Sequence, residues 1–311
     1  MEFDPKAFLE KAVEEVRSRV GGERAIAACS GGVDSTVSAL IARIALGDRL
    51  KAVYIDDGFR RLGEPEATVQ LLKSLGLDVE LIDAKQEFYN AVRGLRDAEE
   101  KRKAFRHTFY TVLGRAAKSW GARFLVQGTI APDIIETVGG VKTQHNVLVQ
   151  LGLDPRAYGF EVVEPLRELY KPQVRQLARY LGLPKEISEK MPFPGPGLLI
   201  RVVGEATPEK VDIVRRATRI VEEETRGLGA FQAFAVLLEG RATGVKGGKR
   251  VYGYIVAVRV VESEDAVTAR ASELPYPLLK RIANRIINEV PEVARVLYDV
   301  TDKPPATIEF E

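Results

Sequence analysis

The chain has 311 residues, a length that gives about two domains. Its 46 Lys and Arg against 44 Asp and Glu leave a formal charge of +2, which argues against a nucleic-acid coat, an acidic tail or a polybasic membrane arm. One cysteine forbids an intrachain disulfide and a Cys-rich zinc site, and two histidines, His107 and His145, are too few for a multi-His centre; this usage, with 45% hydrophobic and 29% charged residues, predicts a soluble cytoplasmic protein.

The first 20 residues are charged and amphipathic, with apolar positions at Phe8, Val13, Val16 and Val20. They lack the apolar core of a signal peptide, and no run approaches the ~18 apolar residues of a membrane span. Residues 24–29 (RAIAAC) predict a buried parallel strand, and after a Gly-Gly turn residues 33–46 predict a helix. Further strands are expected at 51–55, 77–82 and 123–126, with a short one opening at Glu161. Helices are expected at 65–75, about 97–120 and 171–181. Strands alternating with helices predict an α/β fold, a doubly wound parallel sheet with right-handed crossovers. Residues 139–160 are Gly-rich and too long for a plain connection, so a lid is expected there. There is no internal repeat.

The pattern breaks at MPFPGPG, residues 191–197, where three prolines and two glycines exclude helix and central strand. The boundary is therefore expected there, giving domains 1–190 and 191–311. Thr207 and Pro208 predict an N-cap and first-turn proline for a helix that carries Val211, Val214, Thr218 and Val221 on one stripe and stops near Gly227. Strand-like runs at 231–238, 251–261 and 293–300, with a helix at 277–290, predict a smaller α+β domain with mostly antiparallel pairing. Gly244–Lys249 (GVKGGK) lacks Walker-loop spacing and predicts a hairpin turn.

The strongest local signal is SGGVDST, residues 30–36, between the first strand and the first sheet helix. That is where an open parallel sheet binds ligands. Gly31 and Gly32 let the backbone approach an anion, the helix amides and dipole favour negative charge, and Ser30, Ser35 and Thr36 add hydroxyls. A polyphosphate suits this pocket, but no lysine stands in the loop to neutralise a γ-phosphate. Grip without that lysine suits holding pyrophosphate as it leaves. Asp34 is either a Mg²⁺ partner or a first-turn acid satisfying the dipole. Asp56-Asp57-Gly58 ends the second strand, where Asp56 or Asp57 would hold ribose or metal, or form a solvated acidic turn. Gly128, after the fourth strand, would let the backbone pass close to a ligand. Cys29, in the apolar strand, is expected to be packed rather than nucleophilic.

The SGGxDS pattern resembles the PP-loop ATP pyrophosphatases, which adenylylate a substrate oxygen and expel pyrophosphate. From about residue 24 onward, GTIAPD (128–133), VEPLRELYK (163–171), MPFPGPGLLIRVVGE (191–205), QAFAVLL (232–238) and RIINEVPEVARVLYDVTDKPPATIEFE (285–311) resemble the GMP synthetases. The resemblance implies a pyrophosphatase domain followed by a dimerisation domain, and amination of xanthosine 5′-monophosphate (XMP) to GMP with ATP and Mg²⁺. It implies that Lys303 grips the substrate phosphate, that Glu309 bonds the purine edge, that Arg201 and Gln232 join that site, and that a homodimer forms. In the lid the family carries K-x-H-H-N where this chain reads KTQHN; Lys142 and His145 are the expected lid residues, Gln144 takes no role, and VLVQLGLD replaces the usual glycine-rich stretch. The region around Arg106 and His107 also departs from the family, and His107 is unassigned. The basic run KRKAFR, residues 101–106, follows Glu99 and Glu100 and reads as a solvated charged face, with ATP or an acidic partner as the alternatives.

GMP synthetases take ammonia from glutamine through a Cys-His-Glu glutaminase. Cys29 lacks the Gly-flanked turn that such a nucleophile needs. The chain is therefore expected to be the synthetase subunit of the two-subunit type, active with ammonium alone and needing a glutaminase partner for glutamine. Two alternatives stay open: a tRNA-modifying PP-loop enzyme, which one cysteine and the near-neutral charge disfavour, and a nucleotide-binding subunit without turnover. No nucleic-acid partner is expected, since no interleaved aromatics form a stacking platform.

Overall fold

The computed structural model describes residues 3–132, 161–188, 190–264 and 266–311. Contacts divide the chain into two compact units, Met1–Asp56 with Pro65–Asp83 and Tyr110–Lys190, and Asp57–Glu64 with Ala84–Phe109 and Met191–Glu311. The second unit therefore takes in two stretches that precede residue 191.

The first unit is built on β1 (Arg24–Ala28), β2 (Leu50–Asp56), β3 (Val79–Asp83), β4 (Ala122–Val126) and β5 (Glu161–Val163). All neighbours are parallel, in the order β3-β2-β1-β4-β5. The order reverses at β1, which makes the carboxyl ends of β1 and β4 the topological switch point. Its helices are α1 (Pro5–Val20), α2 (Val33–Leu46), α3 (Glu64–Ser74), α6 (Lys171–Tyr180) and the short α7 (Lys185–Ser188), with the C-terminal half of α5 (Ala98–Trp120); α4 (Lys85–Val92) and α5 up to Phe109 belong to the second unit. α1 starts where Asp4 accepts from the Lys6 and Ala7 amides and Pro5 opens the first turn. Its stripe of Val13, Val16 and Val20 meets Val37, Ile41 and Ala45 of α2 and Leu177 of α6 in one core with Ala25 and Ala27 of β1. Ile26, Val53 and Leu125 alternate to the other sheet face and are equally buried, as are Val112, Leu113 and Ala117 of α5. A sheet buried on both faces explains why its strands read as apolar runs.

The doubly wound parallel sheet is thus as expected. α4 has no counterpart among the expected helices, because its eight residues offer only Phe88 and Val92 as buried positions.

In the second unit β6 (Gln232–Lys246) and β7 (Lys249–Glu262) form an antiparallel hairpin that turns at Gly247-Gly248, both with positive φ. β8 (Arg270–Ala271) adds antiparallel to β7, and β9 (Val293–Tyr298) adds parallel to β7. α8 (Pro208–Glu224) starts at Thr207, whose hydroxyl accepts from the Lys210 amide, and buries Val211, Val214, Thr218 and Val221 as its spacing predicts. α9 (Tyr276–Glu289) precedes β9. β6 runs eight residues past the expected Leu238 end: its outer half is half-exposed and carries Gly240 and Gly244, so no hydrophobic run marks it, and the ladder to β7 holds it instead. Phe234, Val236, Ala257, Val261 and Ile308 form a core cluster in this unit. Among the described residues no helix is long and apolar enough to cross a membrane.

Candidate active site

The Ser30–Thr36 loop joins β1 to α2 at the switch point. Gly31 has φ +74°, and a Cβ there would lie 2.6 Å from Thr68 Cγ2 and 3.5 Å from Lys190 Nζ, so only glycine fits. Gly32 is the N-cap residue of α2 and offers no side chain to its first-turn amides, which therefore face the loop as anion donors. The hydroxyls organise the loop itself: Ser35 Oγ donates to Gly32 O at 3.1 Å, Thr36 Oγ1 donates to Gly32 O at 2.8 Å, and the Ser30 amide donates to Ser35 Oγ at 3.3 Å. Gly128, beyond β4, packs against this turn so tightly that a Cβ on it would meet Asp34 C and Ser35 N at 2.8 Å.

Asp34 does two things at once. Its Oδ2 accepts from Lys171 Nζ at 2.6 Å, while its Oδ1 is buried without a hydrogen-bond partner. A lone carboxylate oxygen beside a helix N-terminus that favours anions is a donor Mg²⁺ commonly takes where phosphate oxygens and water complete its shell. Among the described residues no group of three or more His, Cys, Asp or Glu could hold a metal by itself. Asp34 thus fits a metal that is shared with a polyphosphate. Lys171 and Lys190 supply the cations that the loop lacks. Asp56 is buried at the end of β2. Asp57 is committed to structure: it accepts from the Phe59 amide at 2.8 Å and from Arg60 Nε at 2.8 Å. Cys29 is buried, and burial pushes its thiol up to about 12, as for a packed thiol.

A second cluster lies within the second unit. Arg201, 1% exposed, forks onto Glu309 through Nε–Oε2 and Nη2–Oε1 bonds of 2.9 Å each. Its guanidinium stacks over Phe234 at 3.9 Å and Phe193 at 5.0 Å. Gln232 donates to Pro192 O at 3.1 Å. Two buried atoms here have no partner, the donor Arg201 Nη1 and the acceptor Gln232 Oε1. Buried orphans are costly in a finished protein and are expected where a ligand supplies the missing bonds. Lys303 donates to Ala266 O at 2.7 Å, which leaves other ammonium hydrogens for an anion.

Two family models match the chain. The model of the family described as NAD synthase matches residues 5–196, and that of the GMP synthase C terminal domain matches residues 220–310. The chain is 55% identical to a subunit of the glutamine-hydrolyzing GMP synthase of Archaeoglobus fulgidus, over 99% of this chain and 100% of that protein. It is 54% identical to the like-named subunit from Methanopyrus kandleri, over 99% of this chain and 100% of that protein. The chain belongs to this family of GMP synthase subunits. Among solved structures, an NH3-dependent NAD synthetase from Campylobacter jejuni aligns with 63% of this chain and 81% of its own, at 17% identity and TM-score 0.49.

Within this GMP synthase framework the loop residues Ser30, Gly31, Gly32, Asp34, Ser35 and Thr36 meet Gly128 in one place, and Arg201, Glu309 and Gln232 gather around Pro192–Phe193. Lys142 and His145 lie outside the described residues, as does the expected lid. Four basic residues escaped the sequence reading. Lys171 opens α6, where a cation opposes the helix dipole; that misplacement was the available signal. Lys190 is brought to Gly31 only by folding. Arg259 interrupts the apolar run of β7, and it is fully buried with bonds to Asp299 Oδ2 (2.7 Å) and to the carbonyls of Thr301, Thr307 and Ile308. Lys101 departs from the solvated-face reading of KRKAFR, because it is fully buried among carbonyl oxygens, whereas Lys103 of the same run is exposed.

Proposed function

We propose that the Ser30–Thr36 loop binds the polyphosphate of ATP, and that the Arg201–Gln232–Glu309 cluster with Lys303 binds XMP. The family makes the chain a ligase of GMP synthesis that uses ATP. In the proposed reaction the xanthine O2 attacks the α-phosphorus of ATP and pyrophosphate leaves. Ammonia then adds at C2 and AMP departs, giving GMP. The first step turns a poor leaving group into a good one, and its cost is the charge that grows on pyrophosphate. The first-turn amides of α2, with Lys171 and Lys190 beside them, are fixed before that charge appears. Mg²⁺, when bound, would neutralise phosphate charge, and Asp34 Oδ1 would hold it. The observation that carries this reading is the orphaned Oδ1 beside an uncapped helix N-terminus and a lysine.

For XMP, Arg201 Nη1 and Gln232 Oε1 offer one unpaired donor and one unpaired acceptor, and the Glu309 carboxylate keeps lone pairs beyond its two bonds to Arg201. That mix suits a purine edge that carries both carbonyl and N–H groups. Lys142 and His145 are proposed to act in the lid. Residues 1–190 are proposed as the pyrophosphatase domain and 191–311 as the substrate and dimerisation domain. Ammonia is proposed to come from a separate glutaminase subunit; the relatives support this, each being named as one subunit of a glutamine-hydrolyzing synthase. A cytoplasmic homodimer is proposed, which sedimentation would test.

The deciding assay follows AMP and pyrophosphate from ATP, Mg²⁺ and ammonium, with and without XMP. The expected result is stoichiometric AMP, pyrophosphate and GMP that depends on XMP, and no hydrolysis of glutamine by the chain alone. Turnover independent of XMP, or none, overturns the reading.

A further inference from the structure

Lys101, on α5, has no exposed surface. A lysine is almost never buried so fully unless it is paired, and burial draws this ammonium below the usual lysine range while Glu311 opposes the shift. Nζ donates to Val202 O at 2.8 Å, to Gly204 O at 2.9 Å, to Glu311 Oε2 and, more weakly, towards Leu199 O at 3.4 Å. Glu311 Oε1 accepts from the Gly204 amide at 3.0 Å, and Arg102 donates to the Glu311 main-chain oxygen. Three ammonium hydrogens meet four acceptors, so none remains for a ligand. The partners are specific in their placement. Leu199 and Val202 flank Arg201 in the chain, and Glu311 lies two residues beyond Glu309. One buried ammonium therefore ties together the two segments whose side chains form the Arg201–Glu309 fork.

We propose that Lys101 is a positioning residue for XMP recognition, pinning segment 199–204 to the tail at Glu311 so that Arg201 and Glu309 keep their bidentate register and Arg201 Nη1 stays aimed at the substrate. This rests on the assignment of Arg201 and Glu309 to XMP. Arg259 holds the other side of the same tail through Thr307 O and Ile308 O, so Glu309 has little freedom left once Lys101 and Glu311 are in place.

The test uses the full chain with ammonium as nitrogen donor and compares wild type, K101M, E311A and E309Q. XMP is varied at saturating ATP and ATP at saturating XMP, and XMP binding is measured by titration calorimetry with thermal melts alongside. In K101M and E311A the KM and Kd for XMP are expected to rise about tenfold, from a misplacement of a fraction of an ångström, while kcat and the KM for ATP stay within about twofold. If E309Q binds XMP as wild type does, the substrate assignment itself falls. If E309Q weakens binding but K101M and E311A do not, the positioning role falls and the assignment stands. Equal losses for XMP and ATP also overturn it, since general loosening affects both. Should K101M not fold, E311A decides, because it leaves the ammonium its carbonyl partners.

Discussion

Gly128→Ala isolates one steric contact between the end of β4 and the start of α2. Gly128 does not need a positive φ, so alanine adds no backbone strain there. What it adds is a methyl group 2.8 Å from Asp34 C and Ser35 N and 3.0 Å from Asp34 O. Carbon contacts settle at about 3.5–4.0 Å, so the two backbones must part by roughly half an ångström or more. The obstacle is main chain, and no side chain can swing aside. Overpacking of this kind costs about 1–3 kcal/mol. In a chain of this size that lowers Tm by roughly 2–4 °C per kcal/mol. The same shift moves the first-turn amides of α2, and a displacement near 1 Å costs about a hundredfold, so kcat/KM for ATP should fall by about tenfold or more. Gly22→Ala is the control, since nothing lies within 4 Å of a Cβ there. The assay is pyrophosphate release with ATP varied, beside thermal melts. If G128A melts and turns over like G22A, the close approach is not what shapes the loop.

Lys171→Met should raise the KM for ATP at least several-fold, and Asp34→Asn should shift the Mg²⁺ dependence to higher concentration; a K171M enzyme with unchanged ATP kinetics would remove Lys171 from the site. Cys29 should resist a thiol reagent at pH 8 in the folded protein and react only after denaturation, because burial holds its thiol near 12. Arg281 and Arg285 hold the Glu224 carboxyl below its ordinary value, as Arg285 does for Glu289. Depressed carboxyls stabilise the fold above their unfolded values near pH 4.5, and that contribution is lost as pH falls through the folded values. The Tm gap between wild type and Arg285→Met should therefore be full at pH 7 and shrink below about pH 4; a gap that stays constant would show that the pairs contribute through packing rather than charge.

The parallel sheet was readable because burial on both faces leaves each strand as an apolar run, and the loop was readable because its glycines and hydroxyls are consecutive in the chain. Arg201, Gln232 and Glu309 came from family likeness rather than from their spacing. What local pattern cannot show is a partner fixed by long-range folding. Lys171 reaches Asp34 across 137 residues, and Lys101 reaches Glu311 across 210. On a helix, Lys101 looks like any charged position among Glu99, Glu100 and Arg102; only the carbonyl oxygens around it reveal that it faces inward. Arg259 was more accessible, since a charge inside an apolar strand is a local anomaly.

The interleaving of the two compact units also decides how this polypeptide can be dissected. A cut between residues 190 and 191 parts the chain at its most obvious seam, yet it leaves part of the second unit on the wrong side. The C-terminal fragment would lose Lys101 and with it the anchor of Glu311. The N-terminal fragment would keep 57–64 and 84–109, with the mutually packed rings of Phe59, Phe88 and Phe105, but without the rest of their unit. Neither fragment holds a whole unit, and recombination with a relative that keeps the units intact would have to exchange three stretches of sequence together.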